Sequence, residues 1–154
     1  MEPNEIQMAL AAAVEEVLET MCFATVLASS EGAAPPEGSG MPAITAQLHF
    51  EGNPSGGFHV SVPMKLAHVV SASFLGREEA EVSDSQAEDV VGELANMICG
   101  SVLSRLESKA TFQITHPESA LTERGVSTEG TGVNRWFDLG DGTLTVSLEL
   151  QQTI

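Results

Sequence analysis

Glu93 and Asn96 stand three residues apart in the stretch Asp89-Val-Val-Gly-Glu-Leu-Ala-Asn-Met-Ile-Cys-Gly100. On a helix that spacing puts both on one face, with Cβ atoms roughly 5 to 6 Å apart. Asn is neither a useful base nor a nucleophile, but its carboxamide both donates and accepts hydrogen bonds and so can fix the direction from which a water attacks. Hydrolysis of an acyl phosphate needs chiefly that positioning, because the phosphoryl group is already activated. Glu93 supplies a charge that can pair with a lysine on a second protein and hold the helix in register. A Glu and an Asn are equally ordinary on a solvated helix face, and the spacing alone does not choose between the two readings.

A helical wheel sorts the surrounding residues. Val90, Leu94, Met97, Ile98 and Ser101 fall on one side, the expected buried stripe. Asp89, Glu93, Asn96, Gly100 and Glu107 form a polar strip on the other. Glycine within a helix costs about 1 kcal/mol relative to alanine, so Gly92 and Gly100 flanking the pair call for a reason. Close approach of another backbone is one, and the expectation is a glycine-cleared ridge suited to entering another protein's shallow site.

The elements that must carry this strip follow from periodicity. Ile6, Leu10, Ala13, Val14, Val17, Leu18 and Met21 predict a helix over about 4–21, with Asn4 and Gln7 as a capping-box start. Residues 28–42, rich in Gly, Ser, Pro and Ala, read as a loop that includes the turn Gly38-Ser39-Gly40. Ile44, Ala46, Leu48 and Phe50, then Phe58, Val60 and Val62, alternate on either side of a glycine-rich turn at Glu51 to Gly57, the pattern of a hairpin. Pro63 suits the start of a second helix that carries Leu66, Val69, Val70 and Phe74 and stops at Gly76. After a charged connector, Arg77 to Glu81, Ser83 or Asp84 caps a long helix over about 84–108. Phe112 and Ile114 suggest a short strand and 117–132 a polar loop. A second hairpin closes the chain, with Val133, Arg135 and Phe137 before Gly140-Asp141-Gly142 and Leu144, Val146, Leu148 and Leu150 after it. Trp136 is expected to pack in the core.

The order suggests two related halves, and Val17 to Leu27 aligns with Glu93 to Leu103 without a gap. The expectation is one domain over 1–154 of α/β (α+β) class, an antiparallel sheet covered by helices and built from two pseudo-repeated helix-strand halves. The long helix would leave its Glu93 and Asn96 edge in solvent.

Composition narrows the partners. With 22 acidic side chains against 6 Lys and Arg, the formal net charge is −16, which opposes nucleic-acid backbones and anionic lipid surfaces. No basic segment precedes an apolar run at the N-terminus and no apolar stretch approaches a membrane span, so a soluble, cytoplasmic, unprocessed protein is expected. Cys22 and Cys99 sit among apolar neighbours, the setting of small buried hydrophobes rather than of a disulfide or zinc site. His49, His59, His68 and His116 lack ligand spacing. Ser71 and Ser73 have no recognisable partner His, and no glycine-rich run continues into a phosphate-loop Lys-Ser/Thr.

The run Asp89 to Leu106, above all Gly92-Glu93-Leu94-x-Asn96-Met97-x-x-Gly100, resembles the E-x-x-N helix of the chemotaxis phosphatase family that includes CheX, CheC and FliY. Phe112 to Pro117 looks like that family's proline-ended strand, although the family proline lies further beyond the Asn than Pro117 does. The resemblance implies a phosphatase acting on the phosphoaspartate of a CheY-like response regulator. In that reading Asn96 orients the attacking water, Glu93 engages the regulator's lysine, and Asp89, Gly92 and Gly100 support docking. It implies no cofactor of the chain's own, Mg2+ in the partner regulator, and a homodimer. Val17 and Thr20 occupy the first-half positions, so one site is expected, as in the CheX branch. The alternatives are a non-catalytic module of the same fold that docks a signalling or motor partner, and a scaffold that only dimerises.

Overall fold

The computed structural model describes residues 3–32, 42–52, 55–106, 113–115, 117–122 and 132–151. Ten elements frame the site: α1 (Pro3–Cys22), β1 (Ala28–Glu31), β2 (Ala43–Glu51), β3 (Ser55–Pro63), α2 (Met64–Leu75), α3 (Asp84–Leu106), β4 (Gln113–Ile114), β5 (Glu118–Thr122), β6 (Val133–Asp138) and β7 (Thr143–Gln151). Every strand pairing is antiparallel. The strands lie in the order β1-β6-β7-β3-β2-β4, with β5 also on β2, as the α+β expectation requires.

Strand alternation fixes which face is apolar. Ile44, Ala46, Leu48 and Phe50 of β2, Phe58, Val60 and Val62 of β3, and Leu144, Val146 and Leu148 of β7 are all buried. Helix α3 packs against β2, β3 and β5, α1 against β6, and α2 against β2 and β3. The opposite face carries polar side chains, among them the exposed Gln47, His49 and Glu149. Among the described residues three phenylalanines, Phe50, Phe58 and Phe137, are the largest fully buried side chains in an otherwise aliphatic core.

The helix ends follow local chemistry. Gly76 takes φ +67° and closes α2 as its left-handed cap, the conformation glycine adopts most easily. Helix α1 ends on a less usual residue, Phe23 at φ +53°, where the Ala24 N–H reaches back to the Leu18 carbonyl at 3.1 Å. Phe23 is also 82% exposed.

Four expectations need correction. Residues 28–31 form a strand rather than loop. As an exposed edge, β1 is held by backbone pairing to β6 from Ala28 opposite Asp138 to Glu31 opposite Arg135, which needs no apolar alternation. Part of the expected polar loop at 117–132 is also a strand, since β5 pairs along β2 from Glu118 opposite Gln47 to Thr122 opposite Ala43. Gln7 does not close a capping box on Asn4; α1 begins at Pro3, and the Gln7 amide donates to the Asn134 carbonyl at 3.0 Å. Trp136 is half-buried rather than in the core, because it follows Arg135 and precedes the buried Phe137 and so faces the other side of β6. Gly38-Ser39-Gly40, Asn53, Pro54, Glu107, Ser108, Phe112, His116 and the remainder of the expected loops lie outside the described residues.

One buried side chain carries an unmet polar group. Ser71 on α2 is 0% exposed, and among the described residues its hydroxyl has no hydrogen-bond partner. Leaving such a group unsatisfied costs about 1 to 3 kcal/mol. Ser71→Ala is therefore expected to stabilise the protein by about 1 kcal/mol, raising the thermal midpoint by a few degrees; an unchanged or lowered midpoint in circular dichroism melts would contradict it.

Candidate functional site

Helix α3 starts at a reciprocal cap. The Gln86 N–H donates to Ser83 Oγ at 3.1 Å and the Ser83 N–H donates to Gln86 Oε1 at 2.9 Å, satisfying two of the donors that a helix start leaves open. Two side-chain pairs tie its ends to other helices. His68 Nε2 on α2 meets Asp84 Oδ1 in the first turn at 2.8 Å. Arg105 in the last turn pairs with Glu16 of α1. A broad buried face, Ala87, Val90, Val91, Leu94, Ala95, Ile98, Cys99, Val102 and Leu103, holds the helix between them.

That face sets what remains in solvent. Asp89, Glu93 and Asn96 are exposed, and on the wheel Asn96 and Glu93 lie about 60° apart with Asp89 between them. The strip thus offers two exposed carboxylates and one exposed carboxamide. Glu93 and Asn96 stand together on an accessible ridge, as the spacing predicts.

The glycine positions bring a further correction. Gly92 is buried and Gly100 half-buried, and what approaches them belongs to this chain. A Cβ on Gly92 would lie 2.9 Å from Ser119 Oγ and 3.6 Å from Pro117 Cγ, and one on Gly100 would lie 3.9 Å from Ile114 Cδ1. The edge segment from β4 to β5 therefore fills the space that was expected to receive another protein. The glycines let this edge come close to α3 rather than clearing a ridge for a partner. Pro117 and Ser119 fall in the span 117–132 whose polar character predicts a loop. The sequence signal for them is the need of two bare Cα atoms on one helix for something to cover them.

The first half offers no equivalent site. Val17 is 7% exposed, and the Thr20 hydroxyl donates to the Glu16 carbonyl at 2.7 Å. Elsewhere, burial lowers the pKa of His59, with Glu149 opposing and His49 reinforcing that shift. Among the described residues no group of three or more His, Cys, Asp or Glu is placed to hold a metal ion. No helix among them is long and apolar enough to cross a membrane.

The two cysteines are structural. Burial pushes the Cys22 thiol up to about 11 and the Cys99 thiol up to about 12, so both stay protonated and unreactive at neutral pH. A thiol reagent such as Ellman's is expected to label neither in the native protein and both after unfolding. Native labelling within minutes would refute this.

Residues 44–136 match the family model described as chemotaxis phosphatase CheX, a span that contains α3, its cap and the edge strand beside it. The chain belongs to the CheX family. No curated protein sequence matches it significantly, but solved structures of similar fold include CheX from Desulfovibrio desulfuricans, with 24% identity and a TM-score of 0.72 over 96% of this chain and 99% of that one. CheX from Vibrio vulnificus shows 20% identity and a TM-score of 0.75 over 98% and 99%. CheX of Borrelia burgdorferi, solved in a complex with CheY, BeF3 and Mg2+, shows 18% identity and a TM-score of 0.73 over 94% and 97%. At these identities the structures establish that this CheX family member shares the fold.

Proposed function

We propose that this chain hydrolyses the phosphoaspartate of a CheY-like receiver domain, with α3 entering the partner's site. The observation that supports this most directly is that Glu93 and Asn96 are exposed together on one strip of a helix whose other sides are packed. Family membership and the complex with CheY formed by the Borrelia relative point to the same partner class.

In this mechanism the Glu93 carboxylate pairs with a lysine beside the regulator's phosphoaspartate, setting the depth and register of docking. The Asn96 carboxamide accepts from and donates to one water, aligning its lone pair with phosphorus opposite the acyl oxygen. A P–O bond forms to the water oxygen as the P–O bond to the acyl oxygen breaks. The aspartate carboxylate leaves with that electron pair, and the water's protons pass to inorganic phosphate or solvent. Mg2+ held by the regulator, not by this chain, supplies charge neutralisation at the phosphoryl oxygens. Asp89 adds negative charge to the same docking edge, and Gly92 and Gly100 serve it by seating the edge strand. The whole of 1–154 acts as one module, as a homodimer in the cytoplasm.

The test mixes the protein with phosphorylated receiver domains from its own organism and follows phosphate loss. Wild type is expected to shorten the phosphate lifetime, Asn96→Ala to leave it nearly at the spontaneous value, and Glu93→Ala to require far more protein for the same rate. If wild type, Asn96→Ala and Glu93→Ala release phosphate equally fast, the assignment fails. Stable binding with an unchanged phosphate lifetime would instead make the chain a docking module.

A further inference from the structure

The edge strand beside α3 is built to present side chains to the site. Ile114 of β4 opposes Phe50 and Ser119 of β5 opposes Ala46, so the edge advances five residues while β2 advances four. One extra residue is therefore accommodated between β4 and β5, the signature of a β-bulge, a device found at sheet edges and beside active sites. Without it, strand alternation would send Ile114 and Ser119 to opposite faces. With it, Ile114, Pro117 and Ser119 all face α3, as their approach to Gly100 and Gly92 records.

Ser119 is the polar member of that set. Ser119 is half-buried, and its hydroxyl makes no hydrogen bond among the described residues. It lies over Gly92 where a side chain would otherwise stand, with 2.9 Å between Oγ and the position of a Cβ. Asn96 is one turn further along α3. A helical side chain leans toward the helix N-terminus and covers the turn preceding its own Cα, which for Asn96 is the turn that holds Gly92. Glycine there leaves no side chain of that turn standing between the position of Asn96 and the Ser119 hydroxyl.

We infer that Ser119 is a second group holding the attacking water, which it shares with Asn96 across the bare Cα of Gly92. The inference rests on the phosphatase reading and adds a residue to it. Asn96 alone leaves a water free to pivot about the carboxamide. A hydroxyl from a different element, acting as donor or acceptor as its rotor allows, fixes a second direction, and the aligned geometry is what raises the rate.

The experiment measures kcat and KM for dephosphorylation of a receiver domain by wild type, Ser119→Ala, Ser119→Thr, Asn96→Ala and the Asn96→Ala/Ser119→Ala pair, with thermal melts of each. Ser119→Ala is expected to lower kcat about 3- to 10-fold, the loss of one hydrogen bond, with KM and melting point unchanged. Ser119→Thr should keep most of the rate, and in the Asn96→Ala background removal of the hydroxyl should change nothing further. A kcat for Ser119→Ala equal to wild type, in a protein that Asn96→Ala cripples, overturns the inference and leaves the phosphatase reading standing. So does a raised KM at unchanged kcat, which would make Ser119 a docking contact. If Asn96→Ala itself has no effect, the phosphatase reading falls and takes this inference with it.

Discussion

Asn96→Ala is expected to lower the rate of regulator dephosphorylation on the order of 10²-fold or more while leaving KM for the phosphorylated regulator close to wild type. The size follows from what the carboxamide does: a donor aimed at a reacting group contributes about that much in kcat when it acts in the transition state. The unchanged KM follows because a group that orients water adds little to ground-state binding. Asn96→Asp should fare no better, since it loses the NH2 donor and places a negative charge beside an anionic phosphoryl group. Glu93 should divide the other way. Its removal takes away a docking charge, so KM rises more than kcat falls, and a charge exchange with the regulator's lysine should restore part of the loss. Rates measured over a range of regulator concentrations separate the two. If Asn96→Ala raised KM and spared kcat, water positioning would be the wrong role.

The largest expected stability loss lies in the sheet rather than on α3. A methyl group on Gly56 would sit 2.0 Å from the Glu149 carbonyl oxygen and 2.8 Å from Phe50 Cζ. A phenyl ring can turn aside, but the carbonyl belongs to the neighbouring strand β7, so β3 and β7 would have to part. Overpacking of this kind costs about 3 kcal/mol. Gly56→Ala should therefore lower the thermal midpoint by about 10 °C, whereas Gly57→Ala, whose nearest neighbour is His49 Nδ1 at 3.6 Å, should be mild. A Gly56→Ala protein that melts within a degree of wild type would refute the close approach.

Gly56 also marks where reading the sequence stops. In sequence it belongs to a glycine-rich run between two alternating segments, and such a run reads as turn; in the fold it is a buried strand position under an aromatic ring. Elements that announce themselves by side-chain chemistry were legible. The stripe Leu66, Val70 with Gly76 behind it gave α2, Ser83 gave the start of α3, and two alternating hairpins gave the centre of the sheet. Elements held by backbone pairing alone were not. Ala28-Ser-Ser-Glu31 and Glu118-Ser-Ala-Leu-Thr122 carry little alternation, and each becomes a strand only because a better strand offers it an open edge.

The site divides along the same line. That Glu93 and Asn96 share an exposed face is a consequence of helical geometry and was readable from their spacing. That Gly92 and Gly100 face the chain's own edge strand was not, because a wheel shows which side lacks a Cβ and says nothing of what comes to lie there. Ser119 carries no signal in the sequence for that reason. It is 23 residues beyond Asn96 in the chain, and only a sheet edge with one extra residue brings it back.

The depth to which α3 is embedded decides who moves when two proteins meet. Turning the ridge by the angle that separates its two functional side chains would drag an acid into the aliphatic interior, against tight packing that yields in steps rather than smoothly. The tool is thus rigid and permanently drawn. On the proposed function, rearrangement during an encounter would fall to the regulator, and one molecule would serve many in succession with nothing of its own to reset.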